Sequence, residues 1–133
     1  MQVTVNKARI EGKSKRLEEI VRRRISSAFE GAIEYLSTEV PVDTGAYANS
    51  MHLNTRGDRS GHGETSRRKE RGVDANTVLN DMEFRLRSDL ESIDLLDGGT
   101  FINNAPHATI VENKVRPIFA ELRNILGSRF ARP

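Results

Sequence analysis

A chain of 133 residues fits one domain, and 36% hydrophobic residues with no Trp and two Tyr supply one modest core, either self-sufficient or completed by neighbouring subunits. The 21 basic and 19 acidic residues leave a net charge of +2, too balanced to imply nucleic-acid binding from bulk charge. The lack of cysteine excludes a disulfide framework and any thiolate metal site, and no run approaches the ~20 apolar residues that cross a bilayer, so no membrane partner is expected.

At the N-terminus, MQVTVNKARIEGK lacks the apolar core of a signal peptide, which predicts a protein kept inside a cell or inside a particle assembled there. Val3 and Val5 alternate with Thr4 and Asn6, so residues 3–10 read as a short edge strand that Gly12 breaks. Ser14 stands as an N-cap before KRLEEIVRRRISSAFEGAIEYLSTEV. There Leu17, Ile20, Val21, Ile25, Ala28, Phe29, Ala32, Ile33 and Leu36 recur at steps of three and four, predicting one apolar stripe on a helix of about seven turns. Glu18 and Glu19 suit its early turns, and Arg22, Arg23 and Arg24 fan over its circumference. Pro41 ends it by disfavouring α geometry at Val40.

The stretch PVDTG predicts a stiff corner. Pro41 fixes φ, Asp43 and Thr44 bond nearby backbone N–H groups, and Gly45 supplies an angle that side-chained residues resist. Ser50 to Thr55 then alternates, with Met51 and Leu53 on one face, and reads as a strand. Residues 56–72, RGDRSGHGETSRRKERG, hold four glycines and no hydrophobic residue, which predicts a long polar loop without order of its own. Its Arg56, Arg59, Arg67, Arg68, Lys69 and Arg71 outnumber its acids, and the opposite balance lies in residues 81–97.

Asp74 is placed to cap a second helix carrying Leu79, Met82, Leu86, Leu90 and Ile93 to about Leu95. Met82, Phe84 and Leu86 also alternate as a strand would, but the helical spacing fits a longer run. Asp97-Gly98-Gly99 makes a turn, and Thr100 to Asn103 a strand that closes in a second turn built on Asn103, Asn104 and Pro106. His107 to Glu112 reads as a short helix or turn. Pro117 opens a final helix with Ile118, Phe119, Leu122, Ile125, Leu126 and Phe130 on one face. The plan is an α+β domain: a long N-terminal helix, a small antiparallel or mixed sheet and two further helices.

Little in this plan carries covalent chemistry. His52, His62 and His107 lie far apart in the sequence without metal-ligand spacing, so no metal or cofactor is expected. Asp43 and Thr44 have no base nearby, and the glycines of the polar loop lack the Lys-Ser/Thr pair of a phosphate loop. Polar variety gathers only around His107, with Asn103, Asn104 and Glu112, where the asparagines are better explained as closing a turn. Lys13, Lys15, Arg16, Arg22, Arg23 and Arg24, with the polar loop, could face DNA phosphates in a sequence-independent, salt-sensitive way. The alternative for the same residues is a solvated helix face or salt bridges between subunits.

Two segments resemble a known family. VPVDTGAYANSMH, residues 40–52, follows a long helix and resembles the PVDTG-x-x-x-x-S corner of bacteriophage neck or tail-completion proteins, the head–tail connectors of long-tailed phages. FINNAPHATIVEN, residues 101–113, resembles that family's strand-and-turn motif, in which NN-x-P-Tyr-Ala precedes a glutamate. The order agrees, with a helix near residues 75–95 between them. Departures are His107 at the usual tyrosine, Asn113 and Lys114 after Glu112 where a residue and then glycine are usual, and a shortened loop, NKVRP, before the last helix. The resemblance implies a virion structural protein without an active site, assembled in the host cytoplasm into a six- or twelve-fold homo-oligomeric ring. Such a ring joins the connector or stopper to the tail terminator or tail tube and extends the DNA channel, with non-specific contact to genomic DNA. It also implies that the basic loop meets an acidic surface of a neighbouring subunit or of the connector. The alternatives are a tail terminator, a small nucleic-acid-binding regulator using the Arg-rich helix, and a small hydrolase centred on His107.

Overall fold

The computed structural model describes residues 1–6, 15–42, 45–64 and 74–131, with the side chains of the last helix through Ser128. Its elements are β1 (Gln2–Val5), α1 (Lys15–Glu39), α2 (Ala46–Asn49), β2 (Met51–Thr55), α3 (Ala75–Ser92), β3 (Gly99–Asn103), α4 (Ala108–Ile110) and α5 (Ile118–Ala131). A 3-10 turn, Leu95–Asp97, precedes β3, and α4 runs on into a π-helical turn, Val111–Val115. The architecture is α+β, and the sheet is antiparallel throughout, in the order β1-β3-β2.

β3 lies in the middle, with Phe101 opposite Val3 on one side and Leu53 on the other. α1 crosses this centre, and Phe29 meets Phe101 with ring centroids 5.7 Å apart. α3 packs beside α1 and β2, and α5 beside α1 and β1. The buried face of α1 is Ile25, Ala28, Phe29, Ala32, Ile33 and Leu36, the three-and-four spacing that turns one side of a helix inward. The stripe expected from Leu17 onward therefore starts late. Leu17 and Ile20 are each 41% exposed, because at ~100° per residue they fall well away from the Phe29 direction.

Asp74 caps α3 as expected, its carboxylate accepting from the Asn76 backbone N–H and the Thr77 hydroxyl. The rival alternation is settled by burial: Met82 and Leu86 are buried, whereas Phe84 between them is 77% exposed. A strand would have turned all three the same way.

The polar loop, described through Glu64, departs most from expectation over those residues. Residues 58–64 carry no helix or strand, yet they are tied to the sheet of their own chain. The Gly57 N–H donates to the Thr100 hydroxyl at 2.9 Å, and the Asn104 amide donates to the carbonyls of Arg59 and Gly61. The Glu64 N–H donates to the Ser50 hydroxyl at 2.7 Å, and the Asn49 amide to the Glu64 carboxylate. Residues 57–64 thus lie over the sheet face opposite α1, while Phe29 covers Phe101 on the other, and all five residues of β3 are buried. Acceptors (Thr100, Ser50) and donors (Asn104, Asn49) in the sheet and its flanking turns replace the apolar contacts that the loop cannot make. Arg67, Arg68, Lys69 and Arg71, the rest of the expected contact surface, lie outside the described residues, as do Asp43 and Thr44.

Gly63 shows how tightly the loop is held. A Cβ built there would land on the backbone carbonyl of Asn104. Gly63→Ala is expected to lift the loop and cost roughly 1–3 kcal/mol, the range for overpacking a closed site. Faster amide exchange at Gly57 and Glu64, with the N–H groups of β1 and β3 unaffected, would check it.

Candidate functional site

The two stretches singled out by resemblance meet in space. Gly45 has φ 89° and ψ −10°, the left-handed conformation anticipated for the corner. It opens α2, a single helical turn absent from the sequence-based plan, and α2 delivers Tyr47 and Ala48 into the core. The Tyr47 backbone carbonyl then accepts from the Asn103 side-chain amide at 2.8 Å. The Asn103 side-chain Oδ1 accepts from the Ala105 N–H at 3.0 Å, closing the second turn. One buried asparagine therefore holds both corners. The Tyr47 ring lies 6.3 Å from that of His107, so His107 packs on the corner as an aromatic neighbour.

Two more groups lock this junction. Arg116, in the short connection before α5, ion-pairs with Glu39 at the end of α1. The Glu112 carboxylate accepts from the Phe119 and Ala120 N–H groups and so caps α5 from the π-helical turn. The Pro117 carbonyl accepts from the Glu121 N–H, in keeping with a proline at the helix start. Pro41 is half-buried next to the buried Val40, Asn104 holds the polar loop, and Pro106 is exposed at the turn.

Buried polarity concentrates here. The Tyr47 hydroxyl has no hydrogen-bond partner among the described residues, and burial, with Glu112 and Tyr35 adding to it, pushes its phenol far above the usual range. The outer edge of β2 is closed by side chains of α3. Arg85 donates to the carbonyls of Ala48 and Met51, and Asp89 accepts from the Leu53 N–H. An edge strand blocked this way cannot accept a further strand. Burial lowers the Arg85 pKa, and Asp89 and then Glu64 oppose that shift.

His52 projects from β2 under the polar loop. Burial first, and the Arg85 guanidinium second, hold its imidazole below the usual histidine range. The folded state therefore favours neutral His52. The stability it contributes is present above about pH 6.5, the unfolded value, and is lost as the pH falls toward the lower folded value. Urea midpoints should drop between about pH 8 and about pH 5, with a shallower drop in His52→Gln.

The expected basic surfaces are partly neutralised within the chain. Arg22 pairs with Glu18 at 3.1 Å and approaches Asp94 at 3.9 Å, and Arg56 pairs with Asp97 at 3.6 Å. The acidic 81–97 region thus meets Arg22 and Arg56 of its own chain. Arg23, Arg24 and Arg59 are exposed and form no ion pair among the described residues. Among the described residues no three His, Asp or Glu side chains converge closely enough to hold a metal ion, and no helix is long and apolar enough to cross a membrane.

Sequence reasoning anticipated the left-handed Gly45 and a turn after Asn103 but missed their connection, and it missed Tyr47, Arg85, Asp89 and Arg116. The available signals were weak: Arg85 and Asp89 flank the buried Leu86, positions from which a long or acidic side chain can reach a strand edge. No protein-family model, curated protein or solved structure matches the chain.

Proposed function

We propose that this chain is a structural protein of a bacteriophage neck, a ring subunit that joins the head connector to the tail and extends the DNA channel. The observation that carries the reading is the Asn103 link from the second turn to Tyr47 of the first. The two stretches that resemble the connector family form one interlocked unit, as expected of segments that belong to a common design. The polar side chains at this junction are engaged in holding backbone, which suits a protein whose work is to present rigid surfaces. The partners are further copies of the chain, the stopper above and the tail terminator or tube below. Electron microscopy of intact particles should place the chain in the collar beneath the portal. Its appearance in the capsid lattice would end the proposal.

Exposed Arg23, Arg24 and Arg59 favour a second reading, binding to duplex phosphates by a free regulator. Sub-micromolar duplex affinity at physiological salt with a steep salt slope would select it over the ring.

A further inference from the structure

α1 sorts its charge by length. Lys15, Arg16, Arg22, Arg23 and Arg24 fall in its first ten residues, Glu30, Glu34 and Glu39 in its last ten, and no base follows Arg24. Glu18 and Glu19 also lie in the first ten residues, where the dipole favours acids, and Glu18 is taken up by Arg22. The first ten residues therefore carry +3 and the last ten −3, and the dipole favours the reverse of that net division. Arg22 and Glu39 are engaged within the chain. Arg23, Arg24, Glu30 and Glu34 are exposed and form no ion pair among the described residues.

Shape follows the same division. Ile20, 41% exposed, stands with Arg23 and Arg24 on the basic half. On the acidic half, Glu34, Tyr35 and Thr38 of α1 and Ile125 and Ser128 of α5 line an open groove of about 480 Å³. Burial first, then the nearby Glu121 and Glu39 carboxylates, hold the Tyr35 phenol above its usual range, with Arg116 opposing. Ile20, Arg24, Gly31 and Thr38 lie within about 40° of one another around the helix, so the apolar knob and the groove occupy one flank, roughly 21 Å apart.

We propose that a second copy of this chain covers that flank, the two α1 helices lying antiparallel about a two-fold axis near Ser27. In that arrangement Ile20 of each copy enters the groove beside Tyr35 of the other, and Arg23 and Arg24 face Glu30 and Glu34. Both contacts form at once because the patch is self-complementary, as an isologous interface requires, and the two helix dipoles oppose. A ring whose copies all point the same way contains no such two-fold axis. The pair therefore belongs to the free chain and stands or falls apart from the ring reading.

The test is sedimentation of the full chain at low salt. Wild type should form a salt-sensitive dimer. Arg23→Glu with Arg24→Glu, or Glu30→Lys with Glu34→Lys, should each weaken it at least about tenfold by placing like charges opposite one another. An equimolar mixture of the two reversed proteins should dimerise again, since each offers the charge that the other lacks. A wild-type chain that remains monomeric, a dimer indifferent to either reversal, or a mixture that fails to recover overturns the inference. None of these results bears on where the chain sits in a particle.

Discussion

Replacing Asn103 with leucine is expected to destabilise the protein by about 3 kcal/mol, lowering its melting temperature by roughly 10 °C. Leucine is close in volume, so the loss is polar rather than steric. Asn103 is 1% exposed, and its amide donates to the Tyr47 carbonyl while its oxygen accepts from the Ala105 N–H. Without it the Ala105 N–H is left inside without its acceptor, at roughly 1–3 kcal/mol, and the Tyr47 carbonyl keeps only the Ser50 N–H, losing a hydrogen bond worth roughly 0.5–1.5 kcal/mol. Asn103→Asp separates the two bonds. An aspartate keeps the acceptor for Ala105 but loses the donor to Tyr47 and buries a charge, so at neutral pH it should fare worse than leucine. Its deficit should shrink on acidification, because a protonated carboxyl regains a donor. Urea midpoints of the three proteins across pH decide this; equal midpoints for wild type and Asn103→Leu would remove Asn103 as the link between the corners.

Phe101→Ala is expected to cost more, about 3–5 kcal/mol. Phe101 is fully buried on the central strand, pairs in register with Val3 and Leu53, and meets Phe29 of α1. Truncation removes the ring that joins α1 to all three strands, and a sheet this small cannot collapse far to refill the space. Against a total stability of roughly 5–15 kcal/mol, the variant should be largely unfolded near body temperature if the wild type lies low in that range. Phe84→Ala supplies the control. Phe84 is 77% exposed, so its loss should shift stability by no more than about 0.5 kcal/mol in either direction. Denaturant melts of both variants measure the contrast; comparable losses would mean that α3 is turned with Phe84 inward.

Much of the fold was legible in order along the chain. Periodicity placed α1, β2, α3, β3 and α5, Asp74 marked the start of α3, and Pro117 the start of α5. Those signals are local: a side-chain repeat, a cap or a fixed φ acts within a few residues. What failed was the reach of the α1 stripe at its first turns, while most of the other apolar residues named on the helix faces are buried or packed on the core. Ile20 looks as core-like as Ile25 in the sequence, yet only Ile25 has sheet and helix packed over it. The part of the polar loop through Glu64 departed from expectation for a related reason. Lacking apolar residues, it seemed unable to order itself, but Thr100, Asn104 and Ser50 bring it donors and acceptors from far along the chain.

The sequence alone determined the five main elements, their α+β class and the left-handed glycine at position 45, since proline, glycine and hydrophobic period act through backbone geometry that each stretch carries with it. Only the tertiary structure decided that the corners share Asn103, that α3 seals the edge of β2, and that Arg22 and Arg56 meet acids of their own chain. These are contacts between residues distant in sequence. Their strength depends on burial and on which partners arrive together, and neither is set until the chain has packed.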